Sequence, residues 1–159
     1  MSIDPPVPAI PVATVPDVKV WLQGAILANV TREPGYGLVV CLDDPGPQKP
    51  EDIIAVTHVH RKTEVYQMVG TMGAGSILET YDLHVLVSVF RGGPDQSWPY
   101  RRAWSLAGIV ESVVRSDPTC GGFVIQAHPR DSSDTSLWEP GRKGRVVEVE
   151  IIIQVMAQI

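Results

Sequence analysis

Strict alternation of apolar and polar residues runs through Ile77–Phe90 and again through Arg145–Ile159, with an amphipathic helical stretch between them. In the first run Tyr81, Leu83, Val85, Val87 and Val89 share one face, while Thr80, Asp82, His84 and Ser88 fall mostly on the other. In the second, Val147, Val149, Ile151, Ile153 and Val155 alternate with Glu148, Glu150 and Gln154. A period of two is that of a strand buried on one side, and antiparallel sheets packed on one face produce it. The chain is therefore predicted to be α+β: a mostly antiparallel twisted sheet of about five strands packed against two helices, with a long β-hairpin. At about 3.3 Å per residue each run spans about 40–50 Å, whereas a globule of this length is about 40 Å across. The runs are expected to overhang the domain and to be completed by a partner, first of all another copy of the chain.

The 159 residues fit one domain with enough length to bury about two thirds of the unfolded surface. Charged residues make up 19%, below the usual quarter, which leaves neutral surface for protein contacts. A net charge of −5 argues against a dedicated nucleic-acid binder, which needs clustered Lys and Arg. An acidic passage would instead repel a duplex and let it slide. The first residues do not read as a basic-then-apolar leader, and no apolar run approaches about 18 residues, so neither a signal peptide nor a membrane span is expected. Cys41 and Cys120 are too few and too far apart for a disulfide scaffold or zinc cluster, and reduced thiols are expected.

Residues 1–16 carry Pro5, Pro6, Pro8, Pro11 and Pro16 and read as an extended arm, with Ile3, Val7, Ile10 and Val12 as anchors if it docks. Residues 17–159 read as a single α+β domain. Asp17 is the expected N-cap of a helix over Val18–Asn29, followed by a short strand, Leu38–Asp43, and a Pro/Gly loop. Ile53–Val69 reads as two strands or one long bent strand, and the glycines of Gly70–Ser76 as a hairpin tip. Ser97 is the expected N-cap of a second helix with Ala103, Leu106, Ala107, Val110, Val113 and Val114 on its buried stripe and Asp117-Pro118 ending it. That helix is long enough to cross four or five strands at about 4.8 Å each. Phe123–His128 reads as a strand, and Arg130–Gly144 as a polar loop before the last strand.

His58-x-His60 is the spacing of two imidazoles on one strand face, which some metal hydrolases use, but no nearby pattern supplies a third ligand. No nucleophile elbow, Walker loop, dinucleotide fingerprint or zincin motif occurs, and the lone Cys120 has no local base. No catalytic residue, metal site or cofactor is assigned. The densest basic cluster, Arg142, Lys143 and Arg145 with Arg130 nearby, interleaves with Asp131, Asp134 and Glu139, which suits protein contact better than DNA contact. Trp138, an indole in a polar stretch, is the expected anchor of such a contact.

The order of elements resembles the tail terminator proteins of long-tailed, siphovirus-type bacteriophages. Tyr81–Phe90, the turn after it and the helix over Trp104–Arg115 look like that family's central hairpin strand and main helix, and Val146–Ile153 resembles its final strand. The resemblance covers 17–159 and consists of strand alternation and helix spacing. It implies a structural virion protein without catalysis: a hexameric ring that caps the tail tube, stops its polymerisation and joins it to the head connector. The implied partners are copies of itself, the major tail tube protein and the head–tail connector or stopper, with DNA passing through the lumen without sequence-specific binding and with no membrane. The implied location is the head-proximal end of the tail, after assembly in the host cytoplasm. The lateral contacts fall to the sheet edge and the second helix face, including Arg101 and Arg102. The axial contacts fall to Met72 and Gly73 in the Gly70–Ser76 tip and to Arg130, Trp138, Glu139, Arg142, Lys143 and Arg145. The alternatives are another ring-forming neck, stopper or tail-tube protein, and a small metal-dependent hydrolase using His58 and His60.

Overall fold

A computed structural model describes residues 12–47, 49–67 and 76–159. Five strands among them form one sheet: β1 (Leu38–Leu42), β2 (Asp52–Gln67), β3 (Ser76–Gly92), β4 (Gln126–Glu139) and β5 (Gly144–Gln158). Their order is β1-β2-β3-β5-β4, parallel only between β1 and β2 and antiparallel elsewhere. Two helices, α1 (Val15–Asn29) and α2 (Ser97–Ser116), complete the α+β fold. The link between β2 and β3, with Met72 and Gly73, lies outside the described residues.

The period-two pattern dictates which face is covered. Odd positions of β3 and β5, from Tyr81 to Val89 and from Val147 to Val155, are all buried under the helices, as are Ile54 and Val56 of β2. α1 contributes Val18, Leu22 and Ile26, and α2 contributes Ala103, Leu106, Ala107 and Val110 at helical spacing. α1 rests on β1 and β2, and α2 on β3, β5 and β4. Because α1 takes its share of the sheet, α2 packs on three strands and not on the four or five that its length allows.

Both helix starts differ from the expectation. Thr14, not Asp17, is the residue before α1, and its hydroxyl reaches inward to the sheet instead of capping the helix. The helix therefore takes in Val15 and Pro16, which the sequence reading gives to the arm. Asp17 sits in the first turn, where a negative charge suits the helix dipole. At α2 the acceptor is Asp95, whose Oδ1 takes the Ser97 N–H at 2.9 Å and the Ser97 hydroxyl at 3.0 Å.

The larger correction concerns Arg130–Gly144. It is not a loop: most of it belongs to β4, which pairs with β5 from Gln126↔Met156 to Glu139↔Gly144. Composition hides this strand because Asp131–Trp138 is exposed on both faces, so nothing selects apolar residues there. The overhang is also relocated. The long runs are interior strands, β3 paired with β5 over Leu78–Gly92 and each flanked again on its other side. What projects beyond the helix layer is the far half of β2, where His60–Val65 is exposed throughout, and the open edges belong to β1 and β4.

Candidate assembly surface

Two buried ionic clusters fix the helices on the sheet and so set the edges in place. Arg91, at the end of β3, is enclosed with a fully buried side chain. Its guanidinium grips Asp52 in a fork, Nη1 to Oδ1 at 2.6 Å and Nη2 to Oδ2 at 3.0 Å, and it lies over the rings of Tyr36 and Trp98. Burial alone would lower the Arg91 pKa, but the bonds and charges of Asp52 and Glu33 outweigh it and hold the group above its ordinary value. Arg102 joins the same cluster: Nε donates to Asp52 at 3.1 Å, and Nη2 to the Thr31 carbonyl at 2.7 Å. At the other end, the fully buried Glu79 accepts from the backbone N–H of Thr14 at 3.1 Å and from its hydroxyl, and pairs with Arg61. Burial pushes the neighbouring Tyr81 phenol well above its usual range.

With the core locked in this way, β4 presents its outer edge to solvent. Its first half is blunted by Pro129 and by a register irregularity between Pro129 and Asp131. From Ser132 to Trp138 the pairing is regular and the sequence contains no Pro or Lys, the residues that usually protect an edge. Leu137 and Trp138 close this stretch, 67% and 50% exposed. The register sets them on opposite faces, Leu137 beside Val146 on the uncovered side and Trp138 beside Arg145 on the helix side. Asp134 ties the strand to α2 by accepting from the Tyr100 hydroxyl at 2.5 Å and the Trp104 indole at 2.9 Å, and these two bonds hold its carboxyl below the usual range.

The predicted contact residues divide between this surface and the interior. Trp138 lies on the free edge, and Arg145 donates to Ser136 across the strand pair at 3.2 Å. Glu139 and Arg142 pair at 3.5 Å at the β4–β5 turn, where Arg142 covers the Phe90 ring at 3.8 Å and Lys143 holds a left-handed φ of 51°. Arg130 reaches Asp82 on the uncovered face at 3.3 Å. Arg101 is exposed on α2. Arg102 is not on that outward face: its side chain is only 11% exposed, turned toward Asp52 and Glu33 by their charges. Sequence reasoning missed Leu137 and Asp134; two adjacent large apolar residues, Leu137-Trp138, inside a polar stretch were the available signal.

His58 and His84 stack flat, ring centroids 3.8 Å apart, and His84 Nδ1 lies 2.7 Å from Glu150 Oε1. This is ring-on-ring packing, not nitrogens converging on an ion. Among the described residues no group of three His, Cys, Asp or Glu side chains is placed to hold a metal. Both cysteines are free, and no described helix is long and apolar enough to cross a membrane. No protein-family model matches this chain, and no curated protein matches it either.

Proposed function

We propose that this chain is a tail terminator of a long-tailed bacteriophage, a structural subunit that closes into a hexameric ring, caps the tail tube and receives the head connector. The observation that supports the reading is the pair of outer sheet edges: β4 is exposed along Ser132–Trp138, and β1 is short, with its Val40 carbonyl accepting from Gln23 of α1 at 3.1 Å, which a neighbour would have to displace. β4 and β1 lie at opposite ends of the sheet and, following the pairings through β2, β3 and β5, run in opposite directions. Set beside the β1 of a neighbour in the same orientation, β4 therefore meets an antiparallel partner, and the sheet continues from copy to copy. Such a contact is heterologous and closes into a ring when the rotation between copies allows it. Leu137 and Trp138 hold the joint from the two faces.

The sheet face away from the helices carries Asp82, Asp131, Glu148 and Glu150, by register. On the same face Arg130 pairs with Asp82, His84 lies against Glu150 and Arg142 covers the Phe90 ring. In a ring with that face inward the lumen therefore carries mixed charge, with Asp131 and Glu148 as the carboxylates that repel passing DNA. The partners in this reading are further copies of the chain, the major tail tube protein on one rim and the connector or stopper on the other, and the role involves no bond-making.

The test adds the purified chain in small amounts to a growing preparation of the major tail tube protein. Tubes that stop at a capped end support the reading. Growth of this chain alone into long tubes would reassign it as a tube subunit, and tube growth that ignores it would overturn the terminator role.

A further inference from the structure

β1 covers only the beginning of β2. The two pair from Leu38↔Asp52 to Leu42↔Val56, and the Asp43 N–H closes the contact on the Val56 carbonyl at 2.9 Å. From Thr57 to Val65 the side of β2 away from β3 has no strand partner among the described residues, and His60–Val65 is exposed. Over Val59–Val65 all seven residues pair with β3 on the inner side without a break. That pairing holds the outer N–H and C=O groups in extended form, a template for one more strand.

The charges on this edge select its partner. Arg61 and Lys62 stand against the single carboxylate of Glu64, and such an edge deters a second copy of itself. The regular stretch of β4, Ser132–Trp138, is also seven residues long, follows Asp131, and holds Asp134 and no cation. Two β4 edges repel each other in the same way, so the favoured pairing joins β4 of one copy to β2 of another. Because β1 and β2 are parallel, β2 runs opposite to β4 just as β1 does, and a neighbour in the same orientation completes an antiparallel ladder.

Face parity restricts the register to steps of two. The register that uses both stretches whole sets Val59 beside Trp138, His60 beside Leu137, Lys62 beside Thr135 and Val65 beside Ser132. Trp138 then extends the core, against which Val59 already packs, and Arg61, bonded to Glu79 through Nε, lies diagonal to Asp134. The Gln23 bond to the Val40 carbonyl of β1 stays intact in this arrangement.

We propose that β4 of one copy seats on β2 of the next over Val59–Val65, beyond the end of β1, so that β1 and the incoming strand lie end to end along β2. The proposal rests on the ring reading for the presence of a neighbour, and it moves the joint along the same sheet edge from β1 to β2.

The test combines Lys62→Cys with Thr135→Cys, both exposed positions, in the full-length chain carrying Cys41→Ser. The sample is oxidised, run without reductant and sized by light scattering. The expected result is a ladder of disulfide-linked dimers and larger species, absent in either single variant. An equal ladder from Lys62→Cys with Ser132→Cys, on the opposite face of β4, would mark random collision and overturn the seat. Linked dimers of the Thr135→Cys variant alone would show β4 against β4 and overturn the heterologous joint. An oligomer without a ladder overturns the β2 seat alone, and a monomer without any cross-link overturns both the seat and the ring.

Discussion

Among the described residues Arg91 is the largest whose side chain is completely enclosed, and the cation is held by Asp52, Glu33 and two aromatic faces. Arg91→Met would fill similar space but leave the Asp52 carboxylate with Arg102 as its remaining cation. Removing one partner of a buried pair costs about 3–5 kcal/mol, so a fall of that size in urea-unfolding stability is expected, and an unchanged midpoint would refute the clamp. Neither Arg91 nor Glu79 was legible as a core residue. Each continues the parity of the buried face of β3, yet a charge at such a position breaks the pattern that marks a strand, and the acceptors or donors lie 39 and 65 residues away in the chain. Cys120 gives a pH signature at the same scale. Burial, with Asp117 adding to it, raises its thiol from 9.0 to about 12. Between those values the unfolded chain holds fewer protons, so the stability contributed by the neutral thiol is complete below pH 9 and is lost as pH rises toward 12. Cys120→Ala should flatten the alkaline decline in urea midpoint, leaving the parts due to Tyr81, Cys41 and Tyr100, whose pKa values are also raised; an identical decline in both proteins would contradict this.

Among the elements, those with one buried face were readable and the one with none was not. β3, β5 and the stripe of α2 announce themselves because burial selects an apolar residue at every second position or every third and fourth. β4 has no such selection over Asp131–Trp138, where its order comes from backbone pairing to β5 and from the bonds of Asp134 to α2. Its exposed end is the place where assembly and folding separate. Leu137→Asp with Trp138→Ala removes one largely solvated and one half-buried side chain, so the unfolding free energy of the subunit should fall by about 1–3 kcal/mol and leave it folded. The same pair of changes should shift the sedimenting species from ring to monomer. An intact ring in that variant would show that the lateral joint lies elsewhere.

At the scale of the molecule, the fold class could be read from periodicity, whereas the sheet order, including the adjacency of β3 and β5, could not, because pairing partners depend on crossovers that leave no local trace. The long runs that first suggested an overhang turn out to be the interior of the sheet, and the open edges pass to β1 and β4. The proposed assembly through sheet edges therefore falls to strands other than those the sequence suggests. The most direct measurement is electron-microscope imaging of the purified full-length chain beside the Leu137→Asp, Trp138→Ala variant. The account predicts annuli of six-fold symmetry for the parent and isolated subunits for the variant. A parent that stays monomeric under all assembly conditions, or that stops at a two-fold dimer joined β4 to β4, would contradict it.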